Sequence, residues 1–135
     1  MSPIVLEFDS TRRWLVARAS GSLGIDDVVT FLMTARATPE TQHVPLLFDA
    51  RGCLTSMTMA DVEAAAAVVH QAVRRRGLRA HVALVADDEA LYAWGLAYEE
   101  RCSQVGVRVI RCFRDLESAE AWLKIMATAR HFGHG

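Results

Sequence analysis

No signature of a familiar catalytic apparatus stands in this sequence. It has no Gly-x-Ser-x-Gly elbow, no Walker loop, no Gly-x-Gly-x-x-Gly turn and no Cys-x-x-Cys pair, so hydrolase, P-loop, dinucleotide and dithiol chemistries lack the motifs they use. There is no basic excess. The formal net charge is -1, which argues against a domain built to neutralise nucleic-acid phosphates. No apolar run reaches the roughly 18 residues that would suggest a membrane span. The first apolar run is not preceded by a basic region, so no signal peptide is expected and the reading is a soluble, cytoplasmic protein. Cysteine is sparse: Cys53, Cys102 and Cys112 share no pair spacing, which gives neither a disulfide framework nor a zinc site. They are expected as reduced thiols packed like small hydrophobes. Repeats, low-complexity tracts and linkers are also missing, so the 135 residues read as one domain with a core over 4–126 and a flexible tail over 127–135.

What is present is an ordered alternation of strands and helices. The stretch from Pro45 to Met59 organises it: a buried strand, Leu46-Leu47-Phe48, ends in Asp49, a short polar turn follows, and a helix starts at Thr58. Before it, Ile4 to Phe8 and Arg13 to Ala19 alternate around the turn residues Asp9 to Arg12, which predicts an antiparallel hairpin. Ile4, Leu6 and Phe8 share one face. Gly21 and Gly24 break the strand pattern, and Asp26 and Asp27 open a helix that Thr38-Pro39 should stop. The next helix has Asp61 in the glutamate place of a capping box, a stripe of Val62, Ala66, Val69 and Val73, and Arg74-Arg75-Arg76 before a C-cap at Gly77. Val82 to Ala86 predicts a second covered strand. Asp87-Asp88-Glu89 opens a helix whose broad face holds Leu91, Trp94, Tyr98 and Cys102. Residues 107–113 alternate as a half-exposed strand, and Asp115 caps a last helix carrying Leu116, Ala119, Trp122, Leu123 and Met126. The order is ββαβαβαβα: an α/β fold with about five strands in a mixed sheet and four helices.

On these residues the chain resembles the SpoIIAA-like, or STAS-like, proteins. The resemblance runs from about Ile4 to Met126. It rests on Pro-Leu-Leu-Phe-Asp-Ala-Arg-Gly at 45–52, Ala-Leu-Val-Ala-Asp-Asp at 83–88, and above all the closing segment at 109–123 with Phe113, Asp115, Ala121, Trp122 and Leu123. It implies a bacterial, non-enzymatic, regulatory or protein-binding domain. STAS domains antagonise anti-sigma factors or regulate anion transporters, and the antagonists switch partners by phosphorylating a serine in the turn after the third strand. Here Asp49 matches the strand-end aspartate, but Ala50 and Arg51 stand where the hydroxyls would be, so the phospho-switch is not carried over. The likeness of this fold to Sec14-type lipid-binding domains implies a second option, a small apolar or lipid-like ligand held between sheet and helices.

The candidate binding residues are Asp49, Arg51, Ser56, Asp87, Tyr92, Trp94 and Tyr98. Asp49 and Arg51 sit at a strand's carboxyl end, where open α/β sheets place ligands. The plainer role for Asp49 is to organise its own turn. Ser56, with Thr55, lies before a helix N-terminus that could hold an anion, against plain capping by Thr58. Asp87, with Asp88 and Glu89, is expected chiefly to complement a helix dipole. Tyr92, Trp94 and Tyr98 suit an apolar pocket or a dimer face as well as they suit core packing. The five histidines, His43, His70, His81, His131 and His134, share no ligand spacing, although His131 and His134 could weakly hold a metal in the tail. Arg74 to Arg76 with Arg79 form the one basic run, which lacks interleaved aromatics. No cofactor, metal or nucleic acid is expected. The leading expectation is a domain acting through a protein partner or self-association as a homodimer, the second is an apolar-ligand sensor, and the third is a cryptic enzyme centred on Asp49 and Arg51.

Overall fold

A computed structural model describes residues 3–35, 43–77 and 80–132, with side chains to residue 128. Eleven elements follow in chain order: β1 Ile4–Asp9, β2 Trp14–Ala19, β3 Ser22–Leu23, α1 Ile25–Thr34, β4 Leu46–Asp49, β5 Leu54–Thr55, α2 Met59–Arg76, β6 Val82–Val85, α3 Glu89–Gln104, β7 Ile110–Phe113 and α4 Leu116–Phe132. Five strands form one sheet in the order β1-β2-β4-β6-β7. The hairpin β1–β2 is antiparallel and the remaining neighbours are parallel. This is the expected mixed α/β sheet with four helices.

Strand alternation divides the core. Trp14 and Val16 of β2, Leu47 of β4, and Ala83 and Val85 of β6 pack with Ala119 and Leu123 of α4. The intervening residues Leu15, Ala17 and Leu46 meet Phe31 of α1 on the other face. There α2 and α3 close over the sheet through Val62, Ala66, Trp94, Tyr98 and Ile110. Such faces follow from the two-residue period of a strand. The central strands are covered on both sides and read as unbroken apolar runs for that reason.

The helix starts follow their punctuation. The Asp27 carboxylate accepts the Gly24 N–H at 3.0 Å and that of Asp61 accepts the Thr58 N–H at 2.8 Å. Asp88 and Asp115 accept from Leu91 and Ser118 at 3.0 and 2.8 Å. Gly77 ends α2 in the left-handed region at φ 66°, where a residue with a Cβ is strained.

Leu6 and Phe8 share a face as expected and are 39% and 56% exposed. Three expectations change. Ser22–Leu23 and Leu54–Thr55 form an additional two-stranded parallel ladder, too short for a periodic signal. The last sheet strand is Ile110–Phe113, so residues 107–109 precede it. Helix α4 continues to Phe132 instead of giving way after Met126, since no glycine or proline interrupts 116–132. The Thr38-Pro39 stop, Arg79 and residues 133–135 lie outside the described residues, as does the His131 side chain. One close approach matters later: Gly95 of α3 lies so near β7 that a Cβ there would stand 2.5 Å from Cys112 Sγ.

Candidate functional site: an apolar cavity and a closed turn

The turn after β4 satisfies itself. Asp49 Oδ1 accepts the Arg51 backbone N–H at 3.1 Å and Nε–H at 2.9 Å, while Oδ2 accepts from Nη2 at 2.9 Å. Burial works to raise the Asp49 pKa, but hydrogen bonds from the Arg51 side chain and backbone, with the Arg51 and Arg18 charges, bring it below its ordinary value. Gly52, at φ 79°, donates its N–H to Asp87 Oδ1 at 2.9 Å. The turn after β4 is thereby tied to the segment after β6. Ala50 and Cys53 are buried beneath it.

A depressed aspartate pKa stabilises the fold above the unfolded carboxylate range, and that contribution is lost as pH falls through the folded value. Asp49→Asn is therefore expected to lose about 1 kcal/mol near pH 7, the scale of a charge-assisted hydrogen bond exchanged for a neutral one. As pH falls below the ordinary aspartate range and wild-type Asp49 becomes protonated, the two proteins should converge. Urea denaturation across pH measures this, and a constant gap at all pH values would contradict the assignment.

The other acids are shared out similarly. Asp87 holds Gly52, Asp88 caps α3, and Glu89 pairs with Arg114 at 2.8 Å. The Arg114 guanidinium lies 4.0 Å over the half-buried Tyr92 ring. Ser56 is exposed next to β5, while Thr55 Oγ1 bridges the Leu23 carbonyl and the Met57 N–H, both at 2.9 Å. Among the described residues, no group of three or more His, Cys, Asp or Glu is placed to hold a metal ion.

Trp94 and Tyr98 belong to a different place. One turn apart on α3, their rings stack at 5.4 Å with 16° between planes. The indole N–H donates to the Thr58 carbonyl at 3.0 Å. Both rings border a cavity of about 110 Å³ between the sheet and helices α1, α2 and α3. Its apolar wall includes Phe31, Phe48, Val69 and Leu84. Burial raises the Tyr98 hydroxyl pKa well above its usual value, and burial pushes the hydrogen-bonded Cys102 thiol up to about 11. Burial likewise raises Cys112, another wall residue, to about 12, aided by Glu99. The Tyr98 hydroxyl and the Cys102 and Cys112 thiols are therefore neutral at ordinary pH.

Of the seven residues singled out from sequence, Asp49, Arg51 and Asp87 come together at the closed turn and Trp94 and Tyr98 at the cavity. Ser56 and Tyr92 are not among the cavity's lining residues. Phe31, Phe48, Val69 and Leu84 were read only as apolar or periodic positions. Nothing in spacing separates a residue lining a cavity from one that fills it. The Arg114–Tyr92 contact also went unread, being distant in sequence.

Among the described residues, no helix is long and apolar enough to cross a membrane. No protein-family model matches the chain, and no curated protein matches it. Among solved structures it is similar to an uncharacterised protein of the DUF3478 family with a SpoIIAA-like fold from Shewanella loihica PV-4. The identity is 20% and the TM-score 0.51, with 89% of this chain and 91% of that one covered. Strand order, the placement of the four helices and this overlap along nearly the whole of both chains make the fold SpoIIAA-like.

Proposed function

We propose that this chain is a non-enzymatic sensor domain that takes a small, neutral, apolar molecule into the cavity beside Trp94 and Tyr98 and signals its occupancy to a protein partner. The cavity is the observation that carries this reading. An engineered apolar cavity of about 150 Å³ stays dry and binds benzene or xenon, so about 110 Å³ suits a compact molecule of that size or less. A long acyl chain is too large, which narrows the lipid-like option. An ion would lose hydration without recovering it from these walls. Ala50 and Met57 also line the cavity, so a guest touches the segment joining β4 to α2, the region that the family resemblance links to partner binding. Asp49 and Arg51 engage each other within their turn, which supports a structural role for them rather than acid–base chemistry. The buried free cysteines suit a reducing compartment such as the cytoplasm.

Thermal melting with benzene, toluene and xenon tests the reading. A guest at a hundred times its dissociation constant stabilises by about 2.7 kcal/mol, a readily measured rise. Val69→Phe places a ring in the cavity and should remove the rise while the protein stays folded. No rise with any guest, or an equal rise in Val69→Phe, would overturn the proposal.

A further inference from the structure

Met57 differs from the other residues that line the cavity. It is the only methionine among them, and the wall has no lysine, arginine, glutamate or glutamine, so Met57 carries the one long unbranched side chain there. It lies between β5 and α2, outside any strand or helix, and is half-buried. Among the described residues it alone packs against both the cluster of Trp94, Tyr98 and Ile110 and the cluster of Ala50, Cys53 and Leu91 beneath the closed turn. Its main chain is held on both sides. The Met57 N–H donates to Thr55 Oγ1 at 2.9 Å, and the Thr58 carbonyl accepts the Trp94 indole N–H at 3.0 Å. The side chain is therefore the part free to move. Methionine is flexible about its side-chain bonds and adapts to irregular gaps. Leu54 and Met59 beside it are exposed, so solvent lies within its reach.

We infer that Met57 is the adjustable wall of the cavity and the residue that sets the size of guest it accepts, an inference that rests on the ligand reading proposed above. With the side chain turned inward, about 110 Å³ suits benzene or toluene. Turned toward solvent, Met57 withdraws its Cγ, Sδ and Cε atoms, which match the carbons of a propyl group. The guest class then extends to small aromatic molecules carrying a short alkyl chain. The other walls yield less readily. Trp94 is tied by its indole N–H to Thr58, and the rings of Phe31 and Phe48 meet edge to face at 5.1 Å. The valines are β-branched and stiff. A displaced Met57 also gives up contact with the cluster under the Asp49–Arg51 turn, so occupancy reaches that segment through the same side chain.

Calorimetric titration of the full chain with benzene, toluene and n-propylbenzene tests the inference. From toluene to n-propylbenzene the wild-type dissociation constant should fall about fivefold, less than burial of the added methylenes alone would give, because displaced Met57 loses part of its packing. Met57→Leu conserves volume but branches the chain. It should bind toluene within about twofold of wild type and n-propylbenzene about tenfold more weakly than wild type. In protein labelled with methyl-13C methionine, n-propylbenzene should shift the Met57 methyl signal and leave those of the exposed Met33 and Met59 in place. If Met57→Leu does not fold, leucine at each of the other methionines identifies the signal by elimination, and the wild-type spectrum decides. With toluene bound, three results would each overturn the inference: no gain for n-propylbenzene in the wild type, the same gain in Met57→Leu, or an unmoved Met57 methyl. If neither benzene nor toluene binds the wild type, the ligand reading itself falls, and this inference with it.

Discussion

Trp94→Ala is expected to lower stability by about 3–5 kcal/mol, the range for truncating a buried tryptophan. In a domain of this size that is a fall of roughly 10–20 °C in melting temperature. Trp94 is 4% exposed. It stacks on Tyr98 and fastens α3 to the start of α2 through the Thr58 carbonyl. Thr58 is exposed, so water can replace the indole donor there, and most of the loss comes from packing. Trp94→Phe should therefore cost much less, about 1–2 kcal/mol. Truncation also enlarges a cavity that already exists, so added indole should restore part of the stability of Trp94→Ala. Urea denaturation with and without indole measures both effects. Equal stabilisation of wild type and variant by indole would show that the guest binds elsewhere.

Leu123→Ala should cost about 2–5 kcal/mol for a different reason. Leu123 is fully buried, with 0% exposure. It anchors α4 against Trp14, Val16, Leu47, Ala83 and Val85. The five-stranded sheet separates it from the cavity, so the truncation opens a new void and leaves the ligand site intact. Combined with Trp94→Ala, a departure from additivity of about 0.5 kcal/mol or more would report coupling through Val85, which packs with Leu123 and also lines the cavity. The Leu123→Ala protein should still show the wild-type rise with benzene. Loss of that response would indicate that the two faces of the sheet are coupled.

The strands and helices were legible where a long periodic signal met clear punctuation. Val82 to Val85 is apolar throughout because both faces are covered. Trp94 and Tyr98, four residues apart, had to share a helical face. Asp49 and Arg51 could be read as one turn because they are neighbours in sequence. The bond from Gly52 to Asp87 spans 35 residues and depends on how two parallel strands come into register, which local pattern does not encode. The ladder of Ser22–Leu23 with Leu54–Thr55 has two residues a side, less than one full alternation. The cavity was the least legible feature. It is space left by the way three helices lean on the sheet, and the residues around it have the composition of any core.

The approach of Gly95 to Cys112 links two positions in the order in which they can change. Alanine favours a helix interior over glycine by about 1 kcal/mol, yet at 95 its methyl group meets the Cys112 sulfur in a packed interior. With alanine first installed at 112, that sulfur is gone and the nearest remaining obstacle, Cβ of residue 112, stands at an ordinary 3.7 Å. The same methyl group then changes from a burden to a benefit. A lineage drifting through these two sites has a one-way gate: the strand residue must shrink before the helix residue can grow, and once both have changed, restoring cysteine at 112 first is the costly step.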